Sequence, residues 1–452
     1  MKSGLENIMN RTNVRLRNII MRLRSSTLLI GAVALFRGAT LFAEDFQGST
    51  HPMPFDEPPL NYSGETPNDR IAQLQKQIAS GEVKLEWDEQ TGYLRSLLEK
   101  LKISKSSQML VFSQTSLQRR EINPRNPRAI YYNDDIYVGY IPGAPMMEVS
   151  AVDPKLGGMF YSIEQEKRRK AAIVRNQECL QCHVSARTMG VPGHFVRSVQ
   201  TDGGGEIKSG SDAGEITHCA PLEQRWGGWY VTGQHGAQQH LGNLIGASAF
   251  DRHVSERGFR GNLKDLTQLI DTSKYLSPRS DIVALMVLEH QLHMHNYITR
   301  LNYETRLMMS AYGHIRYLDN QVNAFLRYLL FTEETPLTES IHGDPDFVAQ
   351  FVAQGPRDAK GRSLRDLDMQ TRMFKFPCSF LIYSKAFDSI PDIMREHLLK
   401  RLHAILTDTD KDPQFANLGS SERRAILEIL QETKPNLPEY WRAKQSGPVA
   451  KN

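Results

Sequence analysis

Five consecutive residues carry the most specific chemistry in this sequence. They read Cys179-Leu180-Gln181-Cys182-His183, a C-x-x-C-H arrangement. Two thiols at this separation can add to the two vinyl groups of a haem, and a histidine directly after the second cysteine then lies under the iron. Composition alone makes a chance occurrence rare, at about 10⁻³. The spacing therefore predicts one covalent haem c on Cys179 and Cys182, with His183 as the proximal iron ligand.

Two other interpretations of the cysteine pair stay open. Cys219 and His218 could complete a zinc site, although they lack the paired spacing that zinc sites usually show. The pair could also be a redox dithiol, although no thioredoxin-like βαβ pattern surrounds it. The two remaining cysteines, Cys219 and Cys378, could form a disulfide in an oxidising compartment.

The opposite side of the iron needs a second protein ligand or an open position. The foremost candidates are His218, Met189 and His290. No methionine lies between Gly190 and Leu285, so histidine or an open site is favoured over methionine. The remaining candidates are His194, His235, His240, His293, Met294 and His295. His290 and His293 share a helix face with Tyr297. Instead of binding the iron, these histidines could pack in the interior of the protein with their rings hydrogen-bonded.

The motif resembles that of c-type cytochromes, and the resemblance is limited to residues 179–183. The blocks PGHFVRSV, PLEQRWGGWYVTG and HLGN are similar to those of large exported bacterial proteins with a single C-x-x-C-H, which implies haem binding. More loosely, a β-rich region with this motif resembles exported haem c sensor domains of the PAS or Cache type.

These resemblances imply an exported mono-haem cytochrome that transfers electrons or forms part of an oxidoreductase, with a periplasmic redox protein as partner. The alternative is a haem c sensor or small-ligand-binding protein. Whether the chain is an enzyme stays open, because no nucleotide-binding, hydrolase or metalloprotease motif accompanies the haem motif. If it is one, haem-dependent oxidoreductase chemistry is expected.

The first 43 residues have the order of a secretory signal. Basic residues precede an apolar run from Thr27 to Phe36, and Ala43 ends the segment. This leader predicts a periplasmic or otherwise exported protein, or one held at the membrane if the leader is not cleaved. Residues 1–43 contain seven Lys and Arg against one acidic residue, so the rest of the chain is slightly acidic. A nucleic-acid partner is therefore not expected.

The remaining chain divides by pattern into a linker and two domains. A proline-rich linker is expected at 44–67, a mixed α/β haem c domain at 68–260 and a helical domain at 280–440. Short β-rich runs such as DIYVGYI and GGMFYSI lie between 105 and 250, and RWGGWYVTG and NLIGASA are expected to be further strands. Ser280 and Asp281 can cap a long helix. The predicted fold class is α+β, a β-rich haem-bearing domain followed by a mainly helical C-terminal domain.

Overall fold

The computed structural model describes residues 53–442 with the exception of Ala213. The predicted leader at 1–43 and the start of the predicted linker at 44–67 lie outside the described residues. The rest of that linker packs on the body of the protein: Leu60 and Tyr62 are buried, and the Tyr62 hydroxyl donates to the Gly158 carbonyl at 2.7 Å. This part of the chain therefore packs its apolar side chains into the protein and is not an extended linker.

Seven strands form one antiparallel sheet in the order β6-β5-β4-β3-β2-β1-β7. Six of them coincide with the β-rich runs of the sequence, and a mainly helical region follows, so the predicted α+β fold class is confirmed. The strands are β1 (Met109–Val111), β2 (Arg128–Tyr132), β3 (Ile136–Tyr140), β4 (Met146–Asp153), β5 (Gly157–Glu164), β6 (Ile173–Arg175) and β7 (Trp229–Tyr230).

Ten α-helices are found among the described residues, most of them after the sheet. They are α1 (Arg70–Ser80), α2 (Leu94–Leu101), α3 (Leu180–His183), α4 (Ala247–Ser255), α5 (Ile282–Tyr312), α6 (Asp319–Leu329), α7 (Pro345–Ala353), α8 (Lys385–Asp388), α9 (Asp392–Leu406) and α10 (Ser420–Thr433). None of the helices in the described part of the chain combines the length and the apolar character needed to cross a membrane.

The two faces of the sheet have different roles. Side chains alternate along each strand, so Val138, Val149 and Tyr161 share one face and join a core cluster with apolar residues of α1 and α2. The opposite face carries Tyr137 and Phe160 and is called the site face below. The long helix α5 covers part of it, and the Tyr137 hydroxyl accepts a hydrogen bond from the side chain of Gln291.

Helix ends follow the local sequence. The Asp69 side chain accepts from the backbone of the first turn of α1, and Gly81 ends that helix in the left-handed conformation at φ 84°. Asp281 caps α5 by accepting from the Ala284 amide at 2.8 Å, as predicted. Helix α5 runs for 31 residues and is buried over most of its length, because it lies between the sheet and the C-terminal helices.

Two of the predicted strands differ from the structure. The NLIGASA segment is not a strand, and its final residues begin helix α4. In RWGGWYVTG only Trp229 and Tyr230 pair with the sheet, because the residues before them form a tight turn in which Trp226 has φ 67°. The described residues belong to one compact unit, and its β-rich and helical parts meet along α5. The division into two domains stays a prediction.

Candidate functional site

The C-x-x-C-H motif folds as one helical turn, α3. The Cys179 carbonyl accepts from the amides of Cys182 at 3.2 Å and His183 at 3.0 Å. Positions i, i+3 and i+4 of a helix lie on one side, so both sulfurs and the imidazole face the same region. Cys182 is exposed and Cys179 is half-buried.

The two thiols are free in the structure. Burial raises the pKa of Cys179 to about 11, so the free sulfur is a thiol near neutral pH. A thioether sulfur carries no charge and is compatible with the same surroundings. The environment of Cys179 is therefore compatible with haem attachment.

The ring of His183 is oriented for ligation through one nitrogen. Its Nδ1 lies 2.8 Å from the Gly193 carbonyl oxygen, and burial lowers the pKa of the imidazole. A neutral ring that donates from Nδ1 leaves a lone pair on Nε2, and no described residue hydrogen-bonds to that atom. A second hydrogen bond, from the Gly193 amide to the His183 carbonyl at 3.0 Å, ties the two residues together. These contacts fit a histidine that binds haem iron through Nε2.

Aromatic side chains surround this imidazole. Phe160, on the site face of β5, lies 4.7 Å from the His183 ring between centroids, and Phe195 lies 5.5 Å away. The His194 ring is 5.9 Å from that of His183. Two charges also act on the pKa of His183, the guanidinium of Arg128 and the carboxylate of Glu148. The site is thus apolar around the ring, with one ion pair close by.

One stripe of helix α5 holds the chain that follows the motif. Asn296 accepts from the His194 amide at 3.0 Å and donates to the His194 carbonyl at 2.7 Å. One turn further on, Arg300 donates to the Met189 carbonyl at 2.6 Å. One turn earlier, His293 Nδ1 lies 2.5 Å from a Glu215 carboxylate oxygen. The stripe positions His194, and thereby the preceding carbonyl of Gly193 that orients His183.

Two of the foremost distal candidates lie against each other rather than against His183. The Nδ1 atoms of His218 and His290 are 2.9 Å apart, and both rings are buried. The His218 ring stacks between Tyr328 and Phe331, at 4.2 and 4.5 Å between centroids. Aromatic packing therefore occupies both flat sides of this imidazole.

The third foremost candidate, Met189, is half-buried and adopts the left-handed conformation at φ 55°. The remaining histidines are engaged in hydrogen bonds of their own. His194 Nε2 lies 2.8 Å from the Ser150 hydroxyl, His235 Nδ1 lies 2.8 Å from the Gln238 carbonyl, and His295 Nε2 lies 2.8 Å from the Asp134 carbonyl. His240 Nδ1 accepts from the Gly242 amide at 3.0 Å, and Met294 is buried.

The four cysteines are all free thiols in the structure and form no disulfide with one another. Cys219 and Cys378 are free thiols, and burial raises the pKa of each to about 12. Within residues 53–442, Ala213 apart, no group of three or more His, Cys, Asp or Glu side chains is arranged to hold a metal ion. The zinc alternative with Cys219 and His218 therefore has no support in the geometry, whereas haem iron needs no such cluster of protein ligands.

Two of the four cations in the basic run Glu166–Lys170 form ion pairs. Lys167 pairs with Glu89 at 2.7 Å, and Arg168 pairs with Glu164 and Glu166 at 2.5 and 2.8 Å. The residues of this run are mostly exposed, as in a solvated surface segment.

Sequence reasoning missed Gly193, Asn296 and Glu215. Asn296 follows His293 by three residues, so the helical spacing could have placed it on the same face. Nothing in the local sequence marks the Gly193 carbonyl, because its contact with His183 depends on how the intervening residues turn back. Glu215 is not marked either, because its partner His293 lies in the remote helix α5.

The comparisons with known proteins name no relative. No family model matches the chain, and no curated protein or solved structure matches it either.

Proposed function

We propose that the chain is an exported mono-haem c-type cytochrome that transfers electrons or serves as a component of an oxidoreductase. Cys179 and Cys182 would hold the haem as thioethers, and His183 would bind the iron. The observation that carries this proposal is the orientation of His183, whose Nδ1 donates to Gly193 while its Nε2 has no partner among the described residues.

When bound, the haem supplies a group that accepts and releases one electron. The protein's own residues do three things. The Gly193 carbonyl fixes the tautomer and orientation of the His183 ring, which strengthens it as a donor. Phe160 and Phe195 exclude water from that ring. Cys182 is exposed, so the edge of the haem attached there would be accessible to a periplasmic redox partner.

A second candidate function, a haem c sensor or small-ligand-binding protein, has one observation in its favour. The rings of His218, His290 and His194 are already engaged, by each other or by Ser150. An iron that finds no second protein ligand has an open position for a small molecule. The two candidates therefore differ in the coordination of the iron.

The test is production of the protein in a host that attaches haem to exported proteins. The product should stain for haem after denaturing electrophoresis, Cys182→Ala should lose most of the stain, and Cys219→Ala should keep it. Full maturation without haem, or zinc in its place, would refute the proposal. A six-coordinate iron that ignores carbon monoxide supports electron transfer, and uptake of carbon monoxide supports the second candidate. Repeating the spectrum on Met189→Ala and His218→Ala identifies any sixth ligand.

Export has its own measurement. Residues 1–43 should be absent from the mature protein in its native host, and mass spectrometry of the N-terminus would show this. A mature chain that retains Met1 would contradict periplasmic localisation by a cleaved leader.

A further inference from the structure

Part of the site face is less deeply buried than the part under α5. Val174, Ser162, Glu148, Gly139 and Ile130 are cross-strand neighbours on β6, β5, β4, β3 and β2, and we call them the open row. Cross-strand partners point to the same face. Phe160 is two residues before Ser162 on β5, so the open row lies on the face that Phe160 shares with His183.

The exposure of the open row contrasts with that of its neighbours. Val174 is 56% exposed, and the other four residues are half-buried. One step along the strands, Phe160, Tyr137 and Tyr132 are buried under α5 and the segment after the motif. The row crosses four gaps between strands, about 19 Å in total, which is wider than a porphyrin.

An exposed apolar side chain borders the open row. Leu117 is 52% exposed, and the preceding residue, Ser116, donates its hydroxyl to Glu148 at 2.6 Å. Val174 lies at one end of the row, and Leu117 follows a residue that contacts its central member, so two of the most exposed large aliphatic side chains lie beside one surface. Exposed apolar surface beside polar groups is typical of a binding site.

A charged pair lies in this surface. Arg128 Nη1 and Glu148 Oε2 are 2.9 Å apart, and their side chains are 17% and 25% exposed. The only side-chain hydrogen bond of Arg128 among the described residues is that of Nη1, so Nη2 is left as a further donor. A donor of this kind suits a carboxylate, and a haem carries two carboxylates as its propionates.

We propose that the open row, with Arg128 and Leu117 beside it, is the surface on which the haem lies. This inference rests on the proposed function and adds the chain's own haem-contacting residues beyond the C-x-x-C-H motif. Arg128 would donate from Nη2 to a propionate, and Glu148 and Arg128 would act on the iron with opposite signs. The Glu148 carboxylate favours the oxidised, more positive iron, and the Arg128 guanidinium favours the reduced iron.

The experiment measures the midpoint potential of the haem-loaded protein by spectroelectrochemistry. Glu148→Gln should raise the potential and Arg128→Gln should lower it. Each change should amount to about tenfold in the equilibrium constant for reduction, which is about 59 mV for a one-electron couple. Val174→Asp places a new negative charge on the open row and should lower the potential.

Two controls separate proximity from general charge effects. Glu428→Gln removes a glutamate of helix α10 that forms ion pairs with Lys360 and Arg362. Val254→Asp adds a negative charge on helix α4, at a valine that is 89% exposed. Both should leave the potential unchanged.

The outcomes distinguish this inference from the function on which it rests. Protein without covalent haem refutes the proposed function itself. Covalent haem whose potential does not respond to Glu148→Gln, Arg128→Gln and Val174→Asp, or responds equally to the controls, places the haem elsewhere and overturns the open-row inference alone. A variant that fails to fold would lose its circular dichroism spectrum, and the other two variants would then decide.

Discussion

Asn296 is the side chain through which helix α5 holds the segment after the C-x-x-C-H motif, and its removal tests that role. Asn296→Ala would leave the amide and the carbonyl of His194 without the partners that now lie at 3.0 and 2.7 Å. Both residues are buried, so water does not freely replace the lost side chain. Each buried group without a partner costs about 1–3 kcal/mol. Since an entering water can serve both groups in part, we expect a total loss of about 2–4 kcal/mol.

The assay is urea unfolding of the mature chain followed by circular dichroism, with the midpoints of variant and parent compared at constant slope. Asn320→Ala, at an exposed position of α6, is the matched control and should stay within about 0.5 kcal/mol of the parent. A loss below about 0.5 kcal/mol in Asn296→Ala would refute the reasoning.

Asn296→Asp adds a second test of the same hydrogen bonds. An aspartate keeps the oxygen that accepts from the His194 amide. Its second oxygen replaces the amide nitrogen that donates to the His194 carbonyl, so two acceptors would face each other unless the carboxyl is protonated. A buried carboxyl in this position should have a raised pKa, so the folded state would bind the proton more tightly than the unfolded state. The variant should therefore gain stability relative to the parent as the pH falls from 7 to 5. A difference that does not change with pH would contradict the bidentate contact.

Three further predictions concern other contacts of the same framework. Gly193→Ala should destabilise the fold by about 1–3 kcal/mol and lower haem retention, because a Cβ there would lie well inside van der Waals contact with Asn296 Oδ1. Thermal unfolding and haem staining would measure the two effects. An unchanged melting temperature would contradict the prediction. Burial raises the pKa of Glu334 to about 7, so the stability from its protonated form is present below about pH 4.3 and is lost as the pH rises through 7. Glu334→Gln should therefore match the parent near pH 4 and exceed it by about 2–4 kcal/mol at pH 8 in urea unfolding, and the opposite slope would refute the assignment. Arg225→Met should cost about 3–5 kcal/mol because it strands the buried carboxylate of Glu289. The double variant with Glu289→Gln should be less destabilised than Arg225→Met alone, and strict additivity in a double-mutant cycle would show that the pair does not interact.

Local features were predictable from the sequence because their causes lie within a few residues. The cap at Asp69 and the stop at Gly81 define helix α1 through contacts inside one turn. The strands of the sheet follow from the alternation and β-branched content of short runs. The two-residue spacing of Cys179 and Cys182 likewise predicts covalent haem, since this chemistry depends on the separation of two sulfurs and on the residue that follows. That prediction now awaits measurement.

The tertiary structure decided which remote residues meet. His218 and His290 are 72 positions apart, and the sequence offered each as a ligand, whereas the fold places them against each other. Asn296 and His194 are 102 positions apart, and the local sequence around either residue does not predict that the two are in contact. The strand order determines the open row, because Val174, Glu148 and Ile130 lie in one row only when each strand from β6 to β2 pairs with the next. Contacts of this kind depend on how the sheet and α5 pack together, which the local pattern of the chain does not encode.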